Sequence, residues 1–182
     1  MKKIIVIFIF FILSGCANIP LTTLFKFSSF DESDFAAIDG AQIKSKITIS
    51  EPLTISEEKS KLSVNIENNL GSRQFTFPLV LVSEKKIPEE KGFFTSKPAQ
   101  TEQVFKISEQ GLVSLNDLQN SLSDDENNIG FSVSVDFNEE PELGDTVTFS
   151  IQLQLDEKDG FFTLVDNFEL NFDESALKNK NQ

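Results

Sequence analysis

Few side chains in this sequence could do chemistry. Histidine is absent from all 182 residues and cysteine occurs once, at Cys16, which removes Ser-His-Asp triads, Cys-His dyads and metal sites built on imidazole. What remains is serine paired with lysine, paired carboxylates, or a metal held by carboxylates. Ser-x-x-Lys occurs at Ser56/Lys59, Ser83/Lys86 and Ser175/Lys178. On a helix that spacing stacks a lysine amine over a serine hydroxyl. None of the three falls on a predicted helix or has a Lys-Thr-Gly companion, and a chain rich in both residues produces such matches by chance. Acidic runs stand at Asp31-Glu32-Ser33-Asp34, Asp124-Asp125-Glu126, Glu139-Glu140-Pro141-Glu142 and Asp156-Glu157-Lys158-Asp159. Asp124, Glu126 and Asn128 have the alternate spacing of a calcium loop, but Gly130 falls one place late and no closing glutamate follows. These runs are expected to be solvated loops that keep sheet edges from pairing with other chains. There is no glycine-rich phosphate cradle and no dinucleotide fingerprint. The expectation is therefore a protein that is not an enzyme, with no catalytic residue, no cofactor and no metal.

Cys16 closes a pattern of another kind. Met1-Lys2-Lys3 is positive, and Ile4 to Leu13 are ten apolar residues without a charge, the n-region and h-region of a signal peptide. A helix needs about 20 predominantly apolar residues to cross a bilayer, and Ser14, Gly15, Asn18 and Pro20 interrupt any extension. A retained membrane span is the lesser reading. Leu13-Ser14-Gly15-Cys16 resembles the lipobox of bacterial lipoproteins, in which small residues before the cysteine fit the lipoprotein signal peptidase. That resemblance implies cleavage between Gly15 and Cys16 and lipidation of Cys16 as the new N-terminus. The alternative is an ordinary secretory cleavage site beside an incidental cysteine. One acyl chain binds a membrane only marginally, at about 0.8 kcal/mol per buried CH₂, so stable anchoring takes more than one. The lipoprotein modification supplies them. Ala17 follows, not the aspartate that retains lipoproteins at the inner membrane in enteric-type bacteria. The expected address is the outer membrane, facing the periplasm, with the inner membrane as the alternative.

The full chain carries a net charge of −13, and cleavage after Gly15 would remove Lys2 and Lys3 and leave −15. A surface this acidic is repelled by phosphate backbones and anionic head groups. No nucleic-acid partner is expected, and the body should stand off the leaflet, touching the membrane only through the lipid on Cys16. With Cys16 consumed by lipid, no disulfide can form and packing alone must hold the fold. Trp and Tyr are absent, so the packing leans on nineteen phenylalanines, all but Phe8, Phe10 and Phe11 lying after Cys16.

From Gln42 onward the dominant period is two, the mark of strands with one buried face. Ile43, Ile47 and Ile49 alternate with Lys44, Lys46 and Thr48; Leu62, Val64 and Ile66 alternate with Ser63, Asn65 and Glu67. Phe75 to Val82 is apolar on both phases, as in a strand covered on both sides, with Pro78 suggesting an edge or a bulge. Ile129 to Phe137 and Val147 to Leu155 alternate again. Asp159-Gly160 between alternating runs predicts a two-residue type I′ hairpin joining Val147–Leu155 to Phe161–Phe172. One short helix is expected near 114–124, with Ser114 as N-cap, Asp117 as its capping-box partner, and Leu115, Leu118 and Leu122 on one face. The fold class is mainly β: an antiparallel β-sandwich or half-barrel of about six to eight strands, with that helix closing one end. Residues 1–15 form the signal peptide, 16–41 the lipidated N-terminal segment, 42–173 the β domain and 174–182 a disordered tail. Leu21, Leu24, Phe25, Phe27, Phe30 and Phe35 make residues 16–41 too apolar to stay solvated. The segment should dock on the domain as an extra strand or turn, a partner-binding or membrane-contacting role being the alternative.

Thr22-Thr23-Leu24-Phe25-Lys26-Phe27-Ser28-Ser29-Phe30-Asp31 and Gly160-Phe161-Phe162-Thr163-Leu164-Val165-Asp166-Asn167-Phe168-Glu169-Leu170 resemble the two end signatures of a family of uncharacterised proteobacterial lipoproteins. The resemblance covers about a fifth of the chain and implies a single domain without adding any chemistry. The functional expectation is a lipid-anchored envelope protein that binds an unknown envelope partner or supports an assembly. The alternative is a carrier or sensor of an apolar ligand held between Phe-rich sheets.

Overall fold

The structure, a computed structural model, describes residues 30–69, 71–91, 96–122 and 128–172. Its first element is a short helix α1, Glu32–Ala37, started by a capping box: Asp31 Oδ1 accepts from Asp34 N at 3.0 Å and Asp34 Oδ2 accepts from Asp31 N at 3.2 Å. The first acidic run thus satisfies the unpaired donors of a helix start. A 3₁₀ turn at Gly40–Gln42 leads into β1, Lys44–Ser50, and then β2, Lys61–Asn68, and β3, Gly71–Ile87. A two-residue pair follows, β4 at Glu90–Lys91 and β5 at Ser96–Lys97. The remaining elements are β6, Gln100–Ile107; helix α2, Glu109–Ser121; β7, Asn128–Ser134; β8, Thr146–Gln154; and β9, Phe162–Asn171. Among the described residues, no helix is long and apolar enough to cross a membrane.

Seven strands form one antiparallel sheet in the order β7-β2-β3-β6-β1-β8-β9, and it curls into a half-barrel. The mainly β fold class expected from the alternation is the fold observed. The curl depends on β3, whose first half (Gly71–Pro78) pairs with β2 and whose second half (Leu79–Ile87) pairs with β6. Pro78 stands where the strand changes partner. It cannot donate to a ladder, and here the ladder to β2 ends: Leu79 N bonds Ser60 O at 3.1 Å while Pro78 O accepts from Ser108 N at 2.9 Å. Pro78 therefore marks neither an edge strand nor a bulge. The register shift comes later, between Leu81 and Ser83, where Val82 is 51% exposed. Cover on both sides of residues 75–82 is not observed either. Phe77 and Leu79 are buried, whereas Thr76 and Pro78 on the other phase are exposed.

The predicted phases otherwise hold. Ile47, Ile49, Leu62, Val64, Ile66, Phe105 and Leu153 point inward and are fully buried. Helix α2 closes one end with Leu115 and Leu118, as expected, but it starts six residues earlier than the leucine spacing implied. Its N-cap is Ser108, whose Oγ accepts from Gly111 N at 3.1 Å, and Ser114 lies inside the helix with its Oγ on Gln110 O. Gly111 belongs in this first turn because a Cβ there would come within 2.7 Å of Ile107 Cγ2.

The C-terminal hairpin pairs Thr146–Leu153 with Phe162–Asn171, as expected, but through residues 155–161 and not a two-residue turn. A type I′ turn needs positive φ at both central residues, and of the predicted pair only Gly160 has it, at 69°. The pairing is also bulged, with Asn167 at φ 45° and its N–H donating to Ser150 Oγ at 2.9 Å. Asparagine is among the few residues that tolerate this left-handed conformation.

The stretch before β1 packs into the core. Phe35 is fully buried, its ring 6.1 Å from that of Phe131, and Phe30 meets Phe131 edge-on at 5.6 Å. Gln119 of α2 fixes this stretch by donating to Phe35 O and Ile38 O at 2.8 and 3.0 Å. Leu21, Leu24, Phe25 and Phe27 lie outside the described residues.

Candidate functional site

The residues singled out for chemistry are not brought together. Gly15, Cys16, Asp124, Glu126, Ser175 and Lys178 lie outside the described residues, and Asn128 is the exposed first residue of β7. Ser56 and Lys59 sit in the loop after β1, where the Lys59 ammonium is held by Asp136 Oδ2 at 3.1 Å. Ser83 and Lys86 are three apart on a strand, which places them on opposite faces. The Lys86 ammonium donates to Thr101 Oγ1 at 2.8 Å and pairs with Glu51 at 3.2 Å. Neither serine has its lysine as a hydrogen-bond partner. Among the described residues, no three acidic side chains are grouped so as to hold a metal ion.

Two polar clusters tie the loop 51–60 to the sheet. Gln103, 3% exposed on the inner face of β6, accepts from Ile55 N at 2.8 Å and donates to Glu84 Oε2 at 3.1 Å. Opposite it, Glu139 accepts from Thr54 N at 3.0 Å and from Thr54 Oγ1, and Asn138 donates to Ile55 O. The glutamate run at 139–142 thus contributes one side chain to loop fixation. A shallow cavity of about 270 Å³ at the β2–β3 turn is lined by Asn68, Gly71, Ser72 and Arg73, all at the surface and none placed for acid–base work.

The feature that stands out is apolar. In the middle of the sheet the inward side chains are sealed, but toward its two ends they are not. On β7, Phe131 and Val133, inward because they pair with Val64 and Leu62, are half-buried. On β9, Phe162, Val165, Phe168 and Leu170 lie opposite the inward residues of β8 and are half-buried too. Six antiparallel pairings separate β7 from β9, so the two terminal strands run parallel to each other. Among the described residues no backbone hydrogen bond joins them. Beyond their ends Phe137, bridged to Ile55, meets Phe172 edge-on at 6.1 Å. Half-buried phenylalanines thus stand on both end strands of the half-barrel. Alternation in the sequence is the same for an end strand and a middle one, so nothing in the spacing distinguished these phenylalanines from Phe77 or Phe105. No protein-family model, no curated protein and no solved structure matches this chain.

Proposed function

We propose that this chain is a lipid-anchored cell-envelope protein that works without catalysis, as a binding or assembly module held at a bacterial membrane by acyl chains on Cys16. The observation that carries the reading is how soon after Cys16 the chain reaches the described core. Phe30 already packs on Phe131 and Phe35 is sealed in the core, while Cys16 is the end of a lipobox-like sequence. Thirteen residues lie between Cys16 and Phe30, so the chain can place at most about 50 Å between the two. A body so tethered works within reach of its own membrane.

Two further observations support a binding role. The described Ser-x-x-Lys lysines are committed to Asp136, Thr101 and Glu51, contacts that fix loops and strands. The surface is strongly acidic, which suits a partner with a cationic face and disfavours anionic ligands. The outer membrane, periplasm-facing, is the proposed address, resting on Ala17 after the lipidated cysteine.

Crosslinking in the native envelope, with identification of whatever is captured, tests the binding role. One protein recovered reproducibly and in fixed proportion is the expected result. A delipidated body that instead co-purifies with a small apolar ligand by native mass spectrometry, and captures no protein, would favour the carrier and overturn the module.

A further inference from the structure

We draw no further inference here: the strongest candidate, the edge of β3 from Leu81 to Ile87, which lies past the end of the β2 ladder and leaves Leu81 and Val82 exposed, carries nothing because nothing in the structure shows what covers it, and its bulge and exposed Lys85 and Lys86 are features that keep a sheet edge from pairing.

Discussion

Ser45 occupies the inward phase of β1, between Phe105 of β6 and Leu153 of β8, and its buried hydroxyl has no hydrogen-bond partner. A buried hydroxyl left unpaired costs about 1–3 kcal/mol in desolvation. Ser45→Ala is therefore expected to leave stability unchanged or raise it by up to about 1 kcal/mol, net of the small void created. Gln103 is the contrasting residue, equally buried but bonded to Ile55 N. Gln103→Ala should lose about 1–3 kcal/mol because that N–H is left unsatisfied. Denaturant midpoints of the two variants provide the check; a larger loss for Ser45→Ala would contradict the hydrogen bonding described. At this scale the sequence was partly legible. The alternation of Ile43, Ile47 and Ile49 sets Ser45 in the inward phase, but nothing local shows that Gln103 fastens a loop 48 residues away in sequence.

At the scale of elements, the helix shows how a strong local signal can misplace a boundary. Ser114, with Asp117 three residues on and leucines following, has the composition of a helix start, yet Ser108 performs the capping. Gly111 hid the true first turn, because glycine is a poor helix former by type and the crowding that excludes a side chain there, by Ile107 Cγ2, Ser108 Oγ and Pro78 O, shows only in the fold. Ser108→Ala should cost about 1 kcal/mol, whereas Ser114→Ala should stay within about 0.5 kcal/mol. Thermal unfolding that ranked the two the other way would restore the later start. In the C-terminal hairpin the pairing was legible and the turn was not. Gly160 keeps its positive φ, and open space surrounds it, so the penalty of a side chain there is backbone strain alone. Gly160→Val should lose about 1 kcal/mol or more, against at most about 0.5 kcal/mol for Glu157→Gln, whose contact with Lys44 is long, at 3.8 Å, and exposed. Equal denaturation midpoints would mean that Gly160 does not hold the left-handed conformation.

For the whole molecule, strand number and inward faces follow from period-two alternation, but strand order does not. Placing β1 between β6 and β8 rests on contacts remote in sequence, and one alternating strand reads like another. The half-buried phenylalanines of β7 and β9 were hidden for the same reason, since which strands lie at the ends of the sheet is fixed only by the strand order. Phe35 ties the described stretch before β1, residues 30–43, into the core. Phe35→Ala should therefore destabilise the entire domain by about 3–5 kcal/mol, in one transition by circular dichroism; a local loss with an unchanged global midpoint would mean that α1 is an appendage. The lipid anchor on which the proposed function turns is open to a single measurement, metabolic labelling with a fatty-acid analogue in the native host. Wild-type protein should take up label and Cys16→Ser should take up none, accumulating as uncleaved precursor; label in Cys16→Ser, or an unlabelled wild type, would contradict the anchor.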